Sequence, residues 1–418
     1  MFTPEQFATR SLQDGRAQRI LAAAFNAVDP SIAVKKYLDE NPLPKEKRTF
    51  AFGLGKAALK MTQALADVLP LTDTLVITKH ASLLTFEPAT LIEGNHPIPG
   101  NDSLAAGRAA LQFVSQLQAD DRLICLISGG GSALMTAPII PLADLQSITS
   151  TLLASGARID EINTVRRHLD RLKGGGLAQA ANGAEILSLI LSDVVGDSIE
   201  AIASGPTAPD ATTLQSAQAV LDKYKIPSQA LQFRETPKSN DPVFQRVNNQ
   251  IIASNRIALE AARGQAYDED FKVKIVNDQL QGEARKVGRD MALLLKEELK
   301  RQTRPICLLA GGETTVTIKG NGKGGRNQEV ALGAVEVLQE MENVMLISLA
   351  TDGEDGPTNA AGAVVTNETF QKAESLGISP AESLAENDAY VFFDQLEDLI
   401  ITGPSGTNVN DLVLCLAF

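Results

Sequence analysis

Several short stretches of this 418-residue chain combine glycine with basic or hydroxyl side chains in the pattern an anion site needs. In Phe52-Gly-Leu-Gly-Lys-Ala-Ala an apolar run turns through two glycines into a helical segment opening with Lys56. Glycine lets a bound group approach the backbone, a helix start offers N–H donors, and the lysine adds positive charge. The spacing is not that of a P-loop, so these residues alone also read as a tight turn with a solvated lysine. Leu126-Ile-Ser-Gly-Gly-Gly-Ser-Ala-Leu is the stronger pattern. Gly129, Gly130 and Gly131 directly after an apolar strand carry a conformational cost, and their successive N–H groups form a nest for phosphate oxygens, flanked by the hydroxyls of Ser128 and Ser132. Further along, Arg166, Arg167, Arg171, Lys173 and His168 concentrate positive charge ahead of Gly174-Gly-Gly. Helical spacing places Arg166, Asp170 and Lys173 on nearly one face, which makes Arg166 and Lys173 candidates for binding substrate or phosphate; a solvated helix face is the alternative.

Acidic turns supply the complementary chemistry. Asp193 follows Leu191-Ser, Glu313 follows Ala310-Gly-Gly, and Asp352 and Asp355 sit in Ala350-Thr-Asp-Gly-Glu-Asp-Gly-Pro. Carboxylates at strand ends beside glycine and hydroxyl residues suit Mg²⁺, which takes one or two protein carboxylates and completes its shell with water and phosphate oxygens. The same aspartates also suit turns that bond their own backbone. Lys319-Gly-Asn-Gly-Lys-Gly-Gly-Arg-Asn-Gln-Glu reads as a mobile flap before a helix opening with Arg326, whose guanidinium can give two N–H groups to a carboxylate or phosphoryl group. Cys125, Cys307 and Cys415 each lie in apolar runs and read as buried hydrophobes, and no His or Cys cluster has zinc-like spacing.

Positioning such residues takes strands that end in these turns. Val-, Ile- and Leu-rich runs at 49–54, 74–78, 122–127, 185–191, 250–253, 272–276, 305–310 and 344–351 alternate with helix-period segments. Continuous apolarity implies strands buried on both faces, hence parallel sheets in an α/β architecture. Prolines and a polar tract between Tyr224 and Val247 place a domain boundary there, giving domains 1–237 and 238–418.

The composition limits the partners. With 44% hydrophobic and 21% charged residues the chain is globular, and a net charge of -13 disfavours nucleic acid and anionic membranes. No apolar stretch approaches the roughly 20 residues of a membrane span. The N-terminus lacks a basic region followed by an apolar core, so a cytoplasmic location is the expectation.

Taken together these motifs, with Gly-Asn-His-Pro-Ile-Pro, Ala-Ser-Gly-Pro-Thr and Thr-Asn-Val-Asn-Asp-Leu, resemble the glycerate 2-kinases with a C-terminal MOFRL domain, over nearly the whole chain. The resemblance implies transfer of the γ-phosphoryl group of ATP to the 2-hydroxyl of D-glycerate, with Mg²⁺, in a cleft between a Rossmann-like α/β/α N-terminal domain and an α/β MOFRL domain. It singles out Lys56 and Arg326 for activity. On this reading the two cations serve the glycerate carboxylate and the γ-phosphoryl charge, the Ser128–Ser132 turn cradles phosphates or substrate, Glu313, Asp193 and Asp352 are candidates for Mg²⁺, and Asp193 accepts the hydroxyl proton. Asn359 stands where the family pattern has Asp. The rival readings are an NAD(P)H-dependent hydroxypyruvate reductase, against which the incomplete Gly-x-Gly-x-x-Gly pattern speaks, and a non-catalytic sensor of sugar acids or phosphates.

Overall fold

Strands β1 (Thr49–Leu54), β2 (Asp73–Thr78), β3 (Thr90–Glu93), β4 (Arg122–Ile127), β5 (Glu185–Leu191) and β6 (Val247–Ala253) form one sheet in the order β3-β2-β1-β4-β5-β6. The structure is a computed structural model describing residues 1–44, 46–80, 86–227 and 231–418. The five strands from β3 to β5 pair parallel. β1 and β4 are buried at every position, which is why they read as unbroken apolar runs. Chain order reverses between these two central strands, β1 leading out to β2 and β4 to β5. Ligands of open α/β sheets bind beyond the carboxyl ends of the strands at such a reversal, and the turns after β1 and β4 are the two glycine turns singled out above.

The second sheet holds β7 (Lys272–Leu280), β8 (Ile306–Gly312), β9 (Val344–Ala350), β10 (Gly362–Thr366), β11 (Leu399–Ile400) and β12 (Asp411–Ala417), in the order β11-β10-β9-β12-β8-β7. Here the parallel expectation fails. β12 runs antiparallel to both β8 and β9, and β10 antiparallel to β9, leaving β7–β8 parallel. β9 and β12 are nonetheless buried throughout. An unbroken apolar run reports burial on both faces and carries no information about direction.

The chain divides into two compact units, Pro30–Ile252 and Met1–Asp29 with Ala253–Phe418, rather than at 237/238. The proline-rich segment is stitched to the first unit instead of linking two: the Arg234 N–H donates to the His168 carbonyl at 3.0 Å and the Asp210 N–H to the Pro237 carbonyl at 3.1 Å. Residues 228–230 of that segment lie outside the described residues. β6 then joins the first sheet before the chain leaves. The first residues belong to the second unit because helix Gly15–Ala27 packs on helix Asn255–Asp268, Arg19 pairs with Glu269 at 2.6 Å, and the Arg16 guanidinium lies 5.2 Å from the Phe271 ring and 5.1 Å from that of Phe418.

Within the second unit, helices Ala284–Arg301 and Arg326–Leu338 approach closely enough that only glycine fits at the contact. A Cβ on Gly288 would stand 1.8 Å from the Val330 carbonyl oxygen, and one on Gly333 2.2 Å from that of Arg285. Gly288→Val should therefore overpack the contact and lower stability by about 1–3 kcal/mol. Gly264, in helix Asn255–Asp268, faces open space. Gly264→Ala should raise stability by roughly 0.5–1 kcal/mol. Urea unfolding of the two variants checks the opposite signs.

Candidate active site

The two glycine turns of the first unit are clasped together by backbone. The Ser128 N–H donates to the Leu54 carbonyl at 2.8 Å, the Lys56 N–H to the Gly129 carbonyl at 3.0 Å, and the Ala57 N–H to Ser128 Oγ at 3.0 Å. Gly55 makes this possible at φ +121°: a Cβ there would stand 2.4 Å from both the carbonyl oxygen and Oγ of Ser128. Gly129 is held to glycine for another reason. Its Cβ would fall 1.9 Å from Asp193 Oδ2, so the carboxylate at the end of β5 occupies the space a side chain would need. Gly130, at φ +84°, is the partly exposed member of the turn; the place of its Cβ lies 3.3 Å from Lys56 Cγ and 3.4 Å from His96 Nε2. The short helix Gly131–Leu134 then begins without a side-chain cap. Lys56 is exposed, and His96, Ser132 and Asp193 are half-buried around the same turn.

Lysine charge reaches the His96 side of this turn. Burial first, then Lys56 and Lys79, hold the His96 imidazole below its ordinary pKa. An anion there would relieve the repulsion between neighbouring cations.

Not every expected residue faces a ligand. Ser128 is buried and its hydroxyl accepts the Ala57 N–H, so it holds the clasp. Gly131 packs toward Leu54 and Ala203. Lys173 is buried, 3.1 Å from Asp170 Oδ2 and 2.8 Å from the Met135 carbonyl, a core ion pair rather than a phosphate binder. The helix carrying Arg166 ends at His168, so Asp170 and Lys173 meet beyond it and not on its face. Arg166 acts one step back, donating to the Ser132 carbonyl at 2.7 Å. Gly174, Gly175 and Gly176 serve packing: their Cβ atoms would meet Thr236, Phe244 and the Arg171 carbonyl. The Ser132 hydroxyl lies 2.5 Å from that of Ser204.

In the second unit the organising cation is Arg326, at the first turn of its helix. Nε and Nη2 bond Asp411 at 2.6 and 3.0 Å, and Nη1 approaches Glu313 at 3.1 Å. The bidentate partner is thus Asp411, at the mouth of β12. Asp355 caps the same helix, accepting the Asn327 and Gln328 N–H groups at 3.1 and 2.9 Å, and burial pushes its carboxyl up to about 7 against those two bonds. Asp352 is raised too, mainly by burial, with the Asp411 charge adding repulsion. The expected flap is not an open hairpin. Gly320 and Gly322 pack on Glu386 and Asp388, the Gly322 N–H donates to the Glu386 carbonyl at 2.8 Å, and the Lys323 N–H to Asp388 Oδ1 at 2.8 Å. The three cysteines are buried and unpaired as expected, Cys125 with its thiol pushed up to about 12 by burial.

A family model described as "MOFRL family" matches residues 306–411, and a "Domain of unknown function (DUF4147)" matches residues 16–234. The chain is 39% identical to the D-glycerate 2-kinase of Thermotoga maritima, over 100% of both chains. The chain belongs to the glycerate 2-kinase family. It is also 39% identical to the glycerate 2-kinase of Pyrococcus horikoshii, covering 95% of this chain and 96% of that one. A crystal structure of Thermotoga maritima glycerate kinase matches with TM-score 0.91 at 38% identity, over 96% of this chain and 99% of that chain.

In this member of the glycerate 2-kinase family, the fold adds His96 and Asp411 to the residues singled out from the sequence and makes Asp355 a helix cap. Asp411 had a readable signal, since an acid opening the otherwise apolar tract Asp-Leu-Val-Leu-Cys-Leu-Ala requires a cation. No helix among the described residues is long and apolar enough to cross a membrane. Because Lys56 depresses His96, Lys56→Ala should raise the His96 pKa toward its ordinary value, and adding inorganic phosphate to the unmodified protein should raise it as well. An NMR titration of the histidine ring protons with and without phosphate reads both shifts.

Proposed function

We propose that this chain transfers the γ-phosphoryl group of ATP to the 2-hydroxyl of D-glycerate, giving 2-phosphoglycerate and ADP. The observation that carries the proposal is the clasped turn. Lys56 and His96 converge on Gly130 while the Asp193 carboxylate lies against Gly129, so an anion seat and a proton acceptor share one sheet end. Phosphoryl transfer asks a protein mainly for positioning and for cations around the transferring group. The 2-hydroxyl oxygen attacks the γ-phosphorus, the bond to the bridging β,γ-oxygen breaks, ADP leaves, and the hydroxyl proton passes to Asp193. Lys56 neutralises charge on the carboxylate or γ-phosphoryl oxygens, and Gly130 and Ser132 lend backbone and hydroxyl donors.

Arg326 is assigned to the same reaction. Its Nε edge is fixed on buried Asp411, while its Nη1 edge faces the half-exposed Glu313 and can exchange that carboxylate for a substrate anion.

Among the described residues no three His, Cys, Asp or Glu side chains converge as a metal cluster. Mg²⁺ needs fewer, and Asp352, disfavoured as an anion by burial and by Asp411, fits the need for a compensating cation better than Glu313, whose charge already meets Arg326. When bound, the ion would neutralise the β- and γ-phosphate oxygens.

The test couples the product of D-glycerate, ATP and Mg²⁺ to enolase, pyruvate kinase and lactate dehydrogenase, with and without phosphoglycerate mutase. Turnover without mutase is expected, and Lys56→Ala should lower kcat/KM by at least about 10²-fold. Turnover only with mutase would move attack to the 3-hydroxyl. Glycerate binding without turnover would favour a sensor, and NADH oxidation with hydroxypyruvate instead would favour a reductase.

A further inference from the structure

At the amino-terminal ends of β4 and β5, away from the clasped turn at their carboxyl ends, lies a cavity of about 380 Å³ that the reaction above does not use. Its volume falls within the ~300–1,000 Å³ range of small-ligand sites. Arg122, the first residue of β4, lines it and is 2% exposed. A guanidinium stays charged, so burying it calls for hydrogen bonds and a counter-charge. Among the described residues the Arg122 side chain makes one such bond, from Nη1 to the Pro44 carbonyl at 2.9 Å, and its Nε is buried with no partner. Arg246 lies on the same wall, bonded to the Ala119 carbonyl at 2.5 Å. Neither arginine forms an ion pair among the described residues. The acid on the wall, Glu185, bonds Lys47 at 2.5 Å and also feels the charges of Arg122 and Arg246, so with two cations against one anion the lining is net positive. Tyr37 and Asn248 add a phenol and a carboxamide.

We propose that this cavity is a second ligand site, for a small phosphate monoester held by Arg122 and Arg246, with its hydroxyls on Tyr37 and Asn248. Two guanidinium groups on one cavity wall suit a dianion, which a phosphate monoester supplies and a carboxylate does not.

Isothermal titration of the full-length protein with glycerol 3-phosphate tests this, with D-gluconate as the carboxylate control. Saturable binding of glycerol 3-phosphate is expected, at least tenfold tighter than that of gluconate, weakened at least tenfold by Arg246→Glu, and kept in Lys56→Ala. Arg122→Met, which replaces the unpaired buried charge by an apolar chain, should abolish binding while the unliganded protein melts no lower than the unmodified one. Absence of saturable binding would overturn the proposal. So would loss of binding in Lys56→Ala with retention in Arg246→Glu, which would put the anion at the clasped turn, or a lowered melting temperature in Arg122→Met with binding intact, which would make Arg122 purely structural.

Discussion

The contact on which the site proposed in the first unit depends is the backbone clasp between Gly55-Lys56-Ala57 and Ser128-Gly129. Two neighbouring parallel strands end together, and three hydrogen bonds of 2.8–3.0 Å knit the turns that follow them. The clasp closes only because Gly55 has no side chain and sits at a positive φ. Once it is closed, Lys56 stands exposed beside Gly130, and the carboxylate of Asp193 fits into the space left by Gly129. Each glycine therefore has a separate mechanical reason. Gly55 allows approach, Gly129 admits an acid, and Gly130 turns the chain. The resulting site is mostly backbone held by a rigid sheet, which suits a reaction that needs placement more than covalent chemistry.

The second unit meets a different constraint, which is how to keep carboxylates inside an apolar sheet end. Asp411 and Asp355 are both buried, and each is answered locally. Asp411 meets the fork of Arg326, and Asp355 meets the free N–H groups at the start of the helix that Arg326 opens. One helix terminus thus supplies both compensations, its backbone donors to one acid and its first side chain to the other. The Asp355 carboxyl is still pushed up to about 7, so burial outweighs the two backbone bonds. The helix itself is fixed by glycine contacts with its neighbour, which sets where Arg326 stands.

Much of this was legible in the residues. Apolar runs located β1, β4, β5 and β8 closely, and glycine placed at strand ends marked the turns that matter. Strand direction was not legible in the second sheet, since β12 is as apolar as a parallel core strand while pairing antiparallel on both sides. Charge density misled at Lys173, where a basic residue in a motif proved to neutralise Asp170 in the core. Glycine density misled at Gly320 and Gly322, which are small because Glu386 and Asp388 press on them rather than because the segment swings freely. His96 stood in the Gly-Asn-His-Pro-Ile-Pro motif without a role, because a lone histidine between Asn95 and Pro97 gives no periodic signal; only the fold carries it to Gly130.

The central claim is that the close fit of Asp193 against Gly129 organises the reacting groups. Gly129→Ala tests it most directly, because the added methyl would fall 1.9 Å from Asp193 Oδ2 and displace that carboxylate without removing any charged group. The account predicts a fall in kcat for D-glycerate phosphorylation of about 10²-fold, the scale of an ångström-sized misplacement, with the circular dichroism spectrum unchanged. An alanine variant that turns over at the unmodified rate would contradict it.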